Sequence, residues 1–206
     1  MKDIRSLPQS QLDALCEVAN IGAGHAATAL SQMIGSTVMI TVPRISVVRL
    51  KDMPALVDEP EEPVVGVLMH MHGDLTGRTL LVFPQQAAMR LAELLLRREP
   101  GSATELGELE QSAINEVGNI LSSAYMNALS VFMGMILLPT PPRLAVDSSS
   151  SVLVMANLNL GADTDHVMRV ESEFLMQGID GRLRGFFLLF PDPASLTAIL
   201  RAVRVA

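Results

Sequence analysis

Cysteine is nearly missing from this chain of 206 residues: Cys16 stands alone, so no internal disulfide can form and a reducing compartment fits. Tryptophan is absent, Tyr125 is the one tyrosine, and only six phenylalanines occur. The core must therefore be assembled from aliphatic side chains and thirteen methionines, whose flexible thioethers fill irregular gaps. Basic charge is also scarce. Fifteen Lys and Arg face twenty-two Asp and Glu, for a net charge of −7, and the pairs Arg97–Arg98 and Arg182–Arg184 are isolated. That argues against nucleic acid as a partner, which would need a basic stripe. Long hydrophobic runs are missing too: the longest, from Ala128 to Pro139, is broken by Ser130 and too short to span a bilayer. Residues 1–10 carry charge but no apolar run before Leu12, so neither a signal peptide nor a membrane location is expected, and the protein reads as cytoplasmic.

What is present is a packed-domain composition, 49% apolar, in a length suited to one large domain. The chain is also duplicated. Asn20-Ile-Gly-Ala-Gly-His-Ala-Ala-Thr-Ala-Leu-Ser-Gln-Met-Ile-Gly35 aligns without a gap on Asn119-Ile-Leu-Ser-Ser-Ala-Tyr-Met-Asn-Ala-Leu-Ser-Val-Phe-Met-Gly134, at an offset of 99 residues. Glu17 then falls on Glu116, Val18 on Val117 and Pro43 on Pro142. Leu80-Leu-Val-Phe-Pro84 echoes Phe187-Leu-Leu-Phe-Pro191 at a slightly longer offset.

Periodicity and punctuation predict the same plan twice. A long helix over 9–34 starts near Ser6 or Pro8, and a second over 104–133 starts at Ser102 and Glu105, which have capping-box spacing. Gly35 and Gly134 stand where helices stop. Strands are expected over 37–50, 64–72 and 78–83, then over 135–146, 152–160, 166–177 and 183–190. Shorter helices over 85–98 and 193–204 close the halves. Asp58-Glu-Pro-Glu-Glu-Pro63 and Asp147-Ser-Ser-Ser-Ser151 read as surface loops. The expected fold class is α+β: a single domain of two pseudo-symmetric helix-β-β-β-helix repeats, about 9–98 and about 104–206, with an antiparallel sheet and long motif helices.

Within each half three residue types recur. Asp13-x-x-x-Glu17-x-x-Asn20 is followed by Pro43, and Ser112-x-x-x-Glu116-x-x-Asn119 by Pro142, each proline twenty-three positions after its Asn. At about 100° per residue, Asp13, Glu17 and Asn20 share an arc of roughly 60°, as do Ser112, Glu116 and Asn119. The apolar residues lie elsewhere, Leu109, Ala113, Val117, Ile120 and Ala124 forming the buried stripe of the second helix, so each Glu/Asn pair occupies a strip left to solvent. The next position on each strip is small, Gly24 or Ser123, which lets another molecule approach the Asn. A single Glu-x-x-Asn is ordinarily just a solvated face; two matched copies with matched prolines are harder to ascribe to chance. Duplication alone can copy a structural pattern, and a proline within a strand pattern also marks an edge or bulge.

This pattern resembles the signature of the CheC/CheX/FliY phosphatase family of bacterial chemotaxis: Asp or Ser, three residues, Glu, two residues, Asn, twenty-two residues, Pro. The likeness runs from Leu12 to the final helix, and the two copies point to the CheC type, CheX proteins carrying one functional motif. His25 departs from an expected Asn, on a face turned away from the strip. The resemblance implies hydrolysis of the aspartyl-phosphate of a CheY-type response regulator, a CheD-type receptor deamidase as a possible second partner, and no cofactor of the protein's own, the divalent metal being held by the response regulator. Hydrolysis of an acyl phosphate needs a water held in line, and an Asn amide can orient one without titrating. Asn20 and Asn119 are thus the candidate water-positioning residues. Glu17 and Glu116 are read as docking groups rather than bases, since an exposed carboxylate of ordinary pKa is a weak base at neutral pH. Asp13 and Ser112 are assigned to motif geometry, Pro43 and Pro142 to shaping the strand beside each helix. The alternative is a non-catalytic regulatory module for the deamidase.

Other chemistry is thinly supported. His70 and His72, on one face of a strand, make at most half a metal site. Cys16 reads as an inert core thiol. Gly22-Ala-Gly24 lies inside a helical pattern and lacks the third glycine of a nucleotide-binding turn.

Overall fold

A computed structural model describes residues 8–49, 52, 63–157, 166–176 and 183–205. The first helix, α1 (Gln9–Ile34), follows the prediction: Pro8, which needs no N–H, stands at its N-cap, and Gly35 ends it in the left-handed conformation at φ 76°. Strands β1 (Val38–Arg49), β2 (Pro63–Gly73) and β3 (Gly77–Pro84) follow, then the helix α2 (Gln85–Leu95). The second motif helix, α3 (Glu108–Met133), stops at Gly134 with φ 63°. Next come β4 (Leu137–Pro139), β5 (Arg143–Ser148), α4 (Ser149–Asn157), β6 (His166–Met176), β7 (Leu183–Pro191) and α5 (Pro193–Val205). The predicted acidic loop at 58–62 and the ends of the runs at 50, 158–160 and 177 lie outside the described residues; Pro63 opens β2.

Several expectations are corrected: the strand expected over 135–146 is split into β4 and β5, and the helix expected over 85–98 ends at Leu95. α3 begins at Glu108 with Gly107 as N-cap, not at 104 through Ser102 and Glu105. The carboxylate of Glu93 competes for the segment before it, accepting the backbone N–H groups of Gly101 and Ala103 at 2.9 and 2.8 Å, while Arg98 pairs with Glu110. Leu109, placed in the buried stripe, is exposed in the first turn; Ile114, Val117, Leu121, Ala124 and Tyr125 line the buried face. The run expected to be a strand at 152–160 is instead the helix α4 as far as it is described, and the expected serine loop supplies the end of β5 and the start of that helix. Val152, Leu153 and Ala156 are buried while Val154 and Met155 are exposed, a helical rather than alternating pattern. The Ser151 N–H donates to Ser148 Oγ at 3.3 Å.

The sheet has seven strands in the order β1-β6-β7-β3-β2-β4, with β5 also pairing β2. All pairs are antiparallel. The order reads as two interleaved halves. The hairpins β2–β3 and β6–β7 meet at the centre, and the first strand of each half crosses over to flank the other half's hairpin. The central pairing respects the duplication: Thr79 opposite Leu189 maps onto Phe186 opposite Val82 under the offset of 107 that relates Pro84 to Pro191. One face of the sheet is covered by α1, α2, α3 and α5, through Leu15, Ala26, Leu91, Leu121 and Ile199 packed on Val65, Leu81, Phe83, Phe174 and Phe187. The other face carries α4, whose Val152, Leu153 and Ala156 rest on Val64, Leu80, Phe186 and Leu188. The two motif helices lie against each other. At that contact a Cβ on Gly22 would come within 2.9 Å of the Tyr125 ring, so glycine is what permits the approach.

Candidate active site

On α1, Asp13, Glu17, Asn20 and Gly24 are all exposed, and a Cβ added at Gly24 would meet no atom within 4 Å. On α3, Ser112 and Glu116 are exposed and Asn119 and Ser123 half-buried. Each strip is therefore presented as the spacing requires, outside the faces that build the core. The structure brings together each half's Asp or Ser, Glu and Asn on one helical ridge.

Neither Glu17 nor Glu116 forms an ion pair among the described residues, which leaves both free to meet a cation from outside. Asp13 Oδ1 accepts from Gln9 Nε2 at 2.9 Å, one turn earlier. Asn20 is held more firmly. Its Nδ2 donates to the Cys16 carbonyl at 3.0 Å, and its Oδ1 accepts the N–H of Val42 at 3.2 Å.

That N–H is free because of a bulge. The register between β1 and β6 slips between Thr41 and Arg44, so Val42 and Pro43 together stand opposite Ser172 alone. Pro43, lacking an N–H, sits where the ladder is interrupted. Val42 is bound from both sides, since its carbonyl accepts from Cys16 Sγ at 3.5 Å. Burial pushes the Cys16 thiol up from its usual pKa, and the charges of Asp13 and Glu17 add to this, so it is a protonated donor at neutral pH. The thiol is thus half-buried and hydrogen-bonded rather than simply a core filler.

The second half differs. Pro142 lies between β4 and β5, in a break rather than a bulge, and Thr140 bridges the gap: its N–H donates to the His70 carbonyl at 3.0 Å and its Oγ1 accepts the His70 N–H at 2.9 Å. Among the described residues Asn119 makes no hydrogen bond, and Oδ1 of Asn115, the counterpart of Cys16, is buried without a partner. Sequence reasoning missed Cys16, Val42 and Asn115 as neighbours of the candidate amides. The signal was available: Thr41-Val-Pro-Arg44 continues the repeat onto Thr140-Pro-Pro-Arg143 at the same offset of 99.

The His70 and His72 rings stack with centroids 6.3 Å apart. Burial, reinforced by the charge of Arg78, lowers the pKa of His70. Among the described residues no three of His, Cys, Asp and Glu gather where they could hold a metal, and no helix is long and apolar enough to cross a membrane.

Comparison with known proteins agrees with the motif. The model of the CheC-like family matches residues 11–47 and 109–146, one match around each ridge and its proline. The CheY-P phosphatase CheC of Bacillus subtilis is 27% identical over 205 residues, covering 98% of each chain. The flagellar motor switch phosphatase FliY of the same organism is 29% identical over 142 residues, which span 68% of this chain and 37% of FliY. The crystal structure of Thermotoga maritima FliY superposes with a TM-score of 0.79 at 21% identity, over 97% of this chain and 98% of that one, which shows a shared fold.

Proposed function

We propose that the two ridges of this chain, each lying within a match to the CheC-like family model, hydrolyse the aspartyl-phosphate of a CheY-type response regulator. One observation carries the proposal: the Glu/Asn pair is retained in both halves and, in both, the Glu is exposed on a ridge outside the core while the Asn one turn on shares that ridge. A relative matched along nearly its whole length is named a CheY-P phosphatase.

The chemistry asked of the protein is small. An acyl phosphate is already activated, and its charge is met by the divalent metal that the response regulator brings. The ridge must place a water in line with the leaving aspartate, and the Asn carbonyl accepts from that water while its NH2 is held elsewhere. Glu17 and Glu116 dock on a cation of the partner and fix the distance of the amide. A hundredfold acceleration requires about 2.7 kcal/mol of barrier reduction, within what one well-placed hydrogen-bonding group supplies. The protein holds no metal of its own in this scheme and acts in the cytoplasm, where its partner is. The deamidase implied by the family resemblance would be a second, separable partner; its support is that resemblance alone.

The test is the lifetime of the phosphorylated response regulator with and without the protein. Acceleration by the wild type, lost in Asn20→Ala/Asn119→Ala with an unchanged circular dichroism spectrum, is expected. Full activity in that double variant refutes the assignment.

A further inference from the structure

We infer that the two sites are unequal, and that Asn119 carries most of the turnover because proline replaces valine at the repeat position that restrains Asn20. This rests on the phosphatase reading above and assigns a positioning role within it to Val42 and its counterpart Pro141.

The argument starts from the bulge. Val42 donates its N–H to Asn20 Oδ1 at 3.2 Å, and Asn20 Nδ2 donates to the Cys16 carbonyl at 3.0 Å. Both ends of the Asn20 amide are therefore engaged by its own domain. The Nδ2 group also donates to Cys16 Sγ at 3.7 Å, and the carbonyl, with one lone pair left, is aimed at its own strand. Preorganisation helps catalysis when a group is fixed in the orientation that the transition state needs. A carbonyl turned toward β1 must break or bend its bond to Val42 before it can direct a water outward.

The duplication places Pro141 where Val42 stands, and proline has no N–H to give. Asn119 accordingly makes no hydrogen bond among the described residues. One turn earlier, Asn115 Oδ1 is buried and unpartnered. The NH2 of Asn119 is the donor that the helical spacing offers it. That bond would leave the Asn119 carbonyl directed outward with both lone pairs available. Asn119 is also less exposed than Asn20, so a hydrogen bond it makes to a water is less diluted by solvent.

The experiment is a steady-state assay of phosphate release from the phosphorylated response regulator, resolving kcat from KM, on Asn20→Ala, Asn119→Ala, the double variant, and Pro141→Val placed in the Asn20→Ala background. Loss of kcat in Asn119→Ala should exceed that in Asn20→Ala by at least about threefold. Pro141→Val supplies the missing N–H and should lower the remaining kcat at unchanged KM, an effect that a change of packing or of docking would not confine to kcat. Equal losses in the single variants, a larger loss from Asn20→Ala, or no effect of Pro141→Val would overturn the inequality while leaving the phosphatase reading intact. A double variant as active as the wild type would overturn the phosphatase reading itself.

Discussion

Gly22 and Gly24 are two residues apart in one helix, yet alanine should act on them with opposite sign. Gly24 is exposed and an added Cβ would touch nothing within 4 Å, so Gly24→Ala gains the helix propensity of alanine, about 1 kcal/mol. In a domain of this size that raises Tm by about 2–4 °C. At Gly22 the same gain is offset by overlap. The new Cβ would lie 2.9 Å from the Tyr125 ring, 3.0 Å from its Cα and 3.2 Å from the Ala124 carbonyl oxygen, two of which are backbone atoms that cannot swing aside. Overpacking of this kind costs about 3 kcal/mol at its upper range, for a net loss near 2 kcal/mol and a fall in Tm of about 4–8 °C. Thermal unfolding followed by circular dichroism, with urea denaturation as a second measure, reads both variants. Shifts of the same sign would refute the claim that the motif helices cross at Gly22 and that Gly24 faces open solvent. The second half of that claim bears on function: Gly24→Trp, on the strip of Asn20, should slow dephosphorylation at the first site without unfolding the protein.

Further perturbations test the scaffold. Glu93, 3% exposed, anchors the segment between the halves; burial alone would raise its pKa, but the N–H groups of Ala103 and Gly101 and the Arg90 guanidinium outweigh that and hold it below the usual carboxylate range. Its contribution is therefore present above the unfolded-state pKa and lost as pH falls through the folded-state value, and Glu93→Ala should cost about 2–3 kcal/mol at neutral pH and flatten the acid limb of the stability profile measured by urea denaturation. Tyr125, buried with its hydroxyl 2.7 Å from Ser172 Oγ, has a pKa pushed up to about 12 by burial, against which the Ser172 hydrogen bond works weakly. Because no other tyrosine and no tryptophan is present, absorbance at the phenolate band reports this residue alone. The folded protein should show no rise near pH 10, where the denatured chain titrates, and stability should be lost as pH climbs from the unfolded value through the folded one; a folded-state titration near 10 would refute its burial.

Legibility followed the range of the interactions concerned. α1 was readable because its stop at Gly35, its apolar spacing and its polar ridge are all local. The start of α3 was not, because it is set by Glu93 and Arg98, whose partners are fixed only once α2 and α3 pack. α4 was misread because Val152, Leu153 and Val154 have the composition of a strand. What decides in favour of a helix is that Val152, Leu153 and Ala156 can be buried together on the free face of the sheet.

The interleaved strand order explains why both ridges come with the fold and why they need not be alike. Each half surrenders its leading strand segments to the other half's hairpin, β1 to β6 and both β4 and β5 to β2, so neither half completes its sheet alone. The strands beside each motif helix are thus held in place by the opposite repeat, and their details can diverge without altering the ridge itself. A bulge at Val42 and a break at Pro141 are two solutions to one problem, ending the ladder beside a helix that carries an Asn. The first spends the freed N–H on that Asn; the second has none to spend. The shared spacing of Glu and Asn is therefore a property of the helices, whereas the freedom of each amide is a property of the neighbouring strand. A duplicated motif can be read from one helix at a time, but the surroundings of each copy depend on both halves.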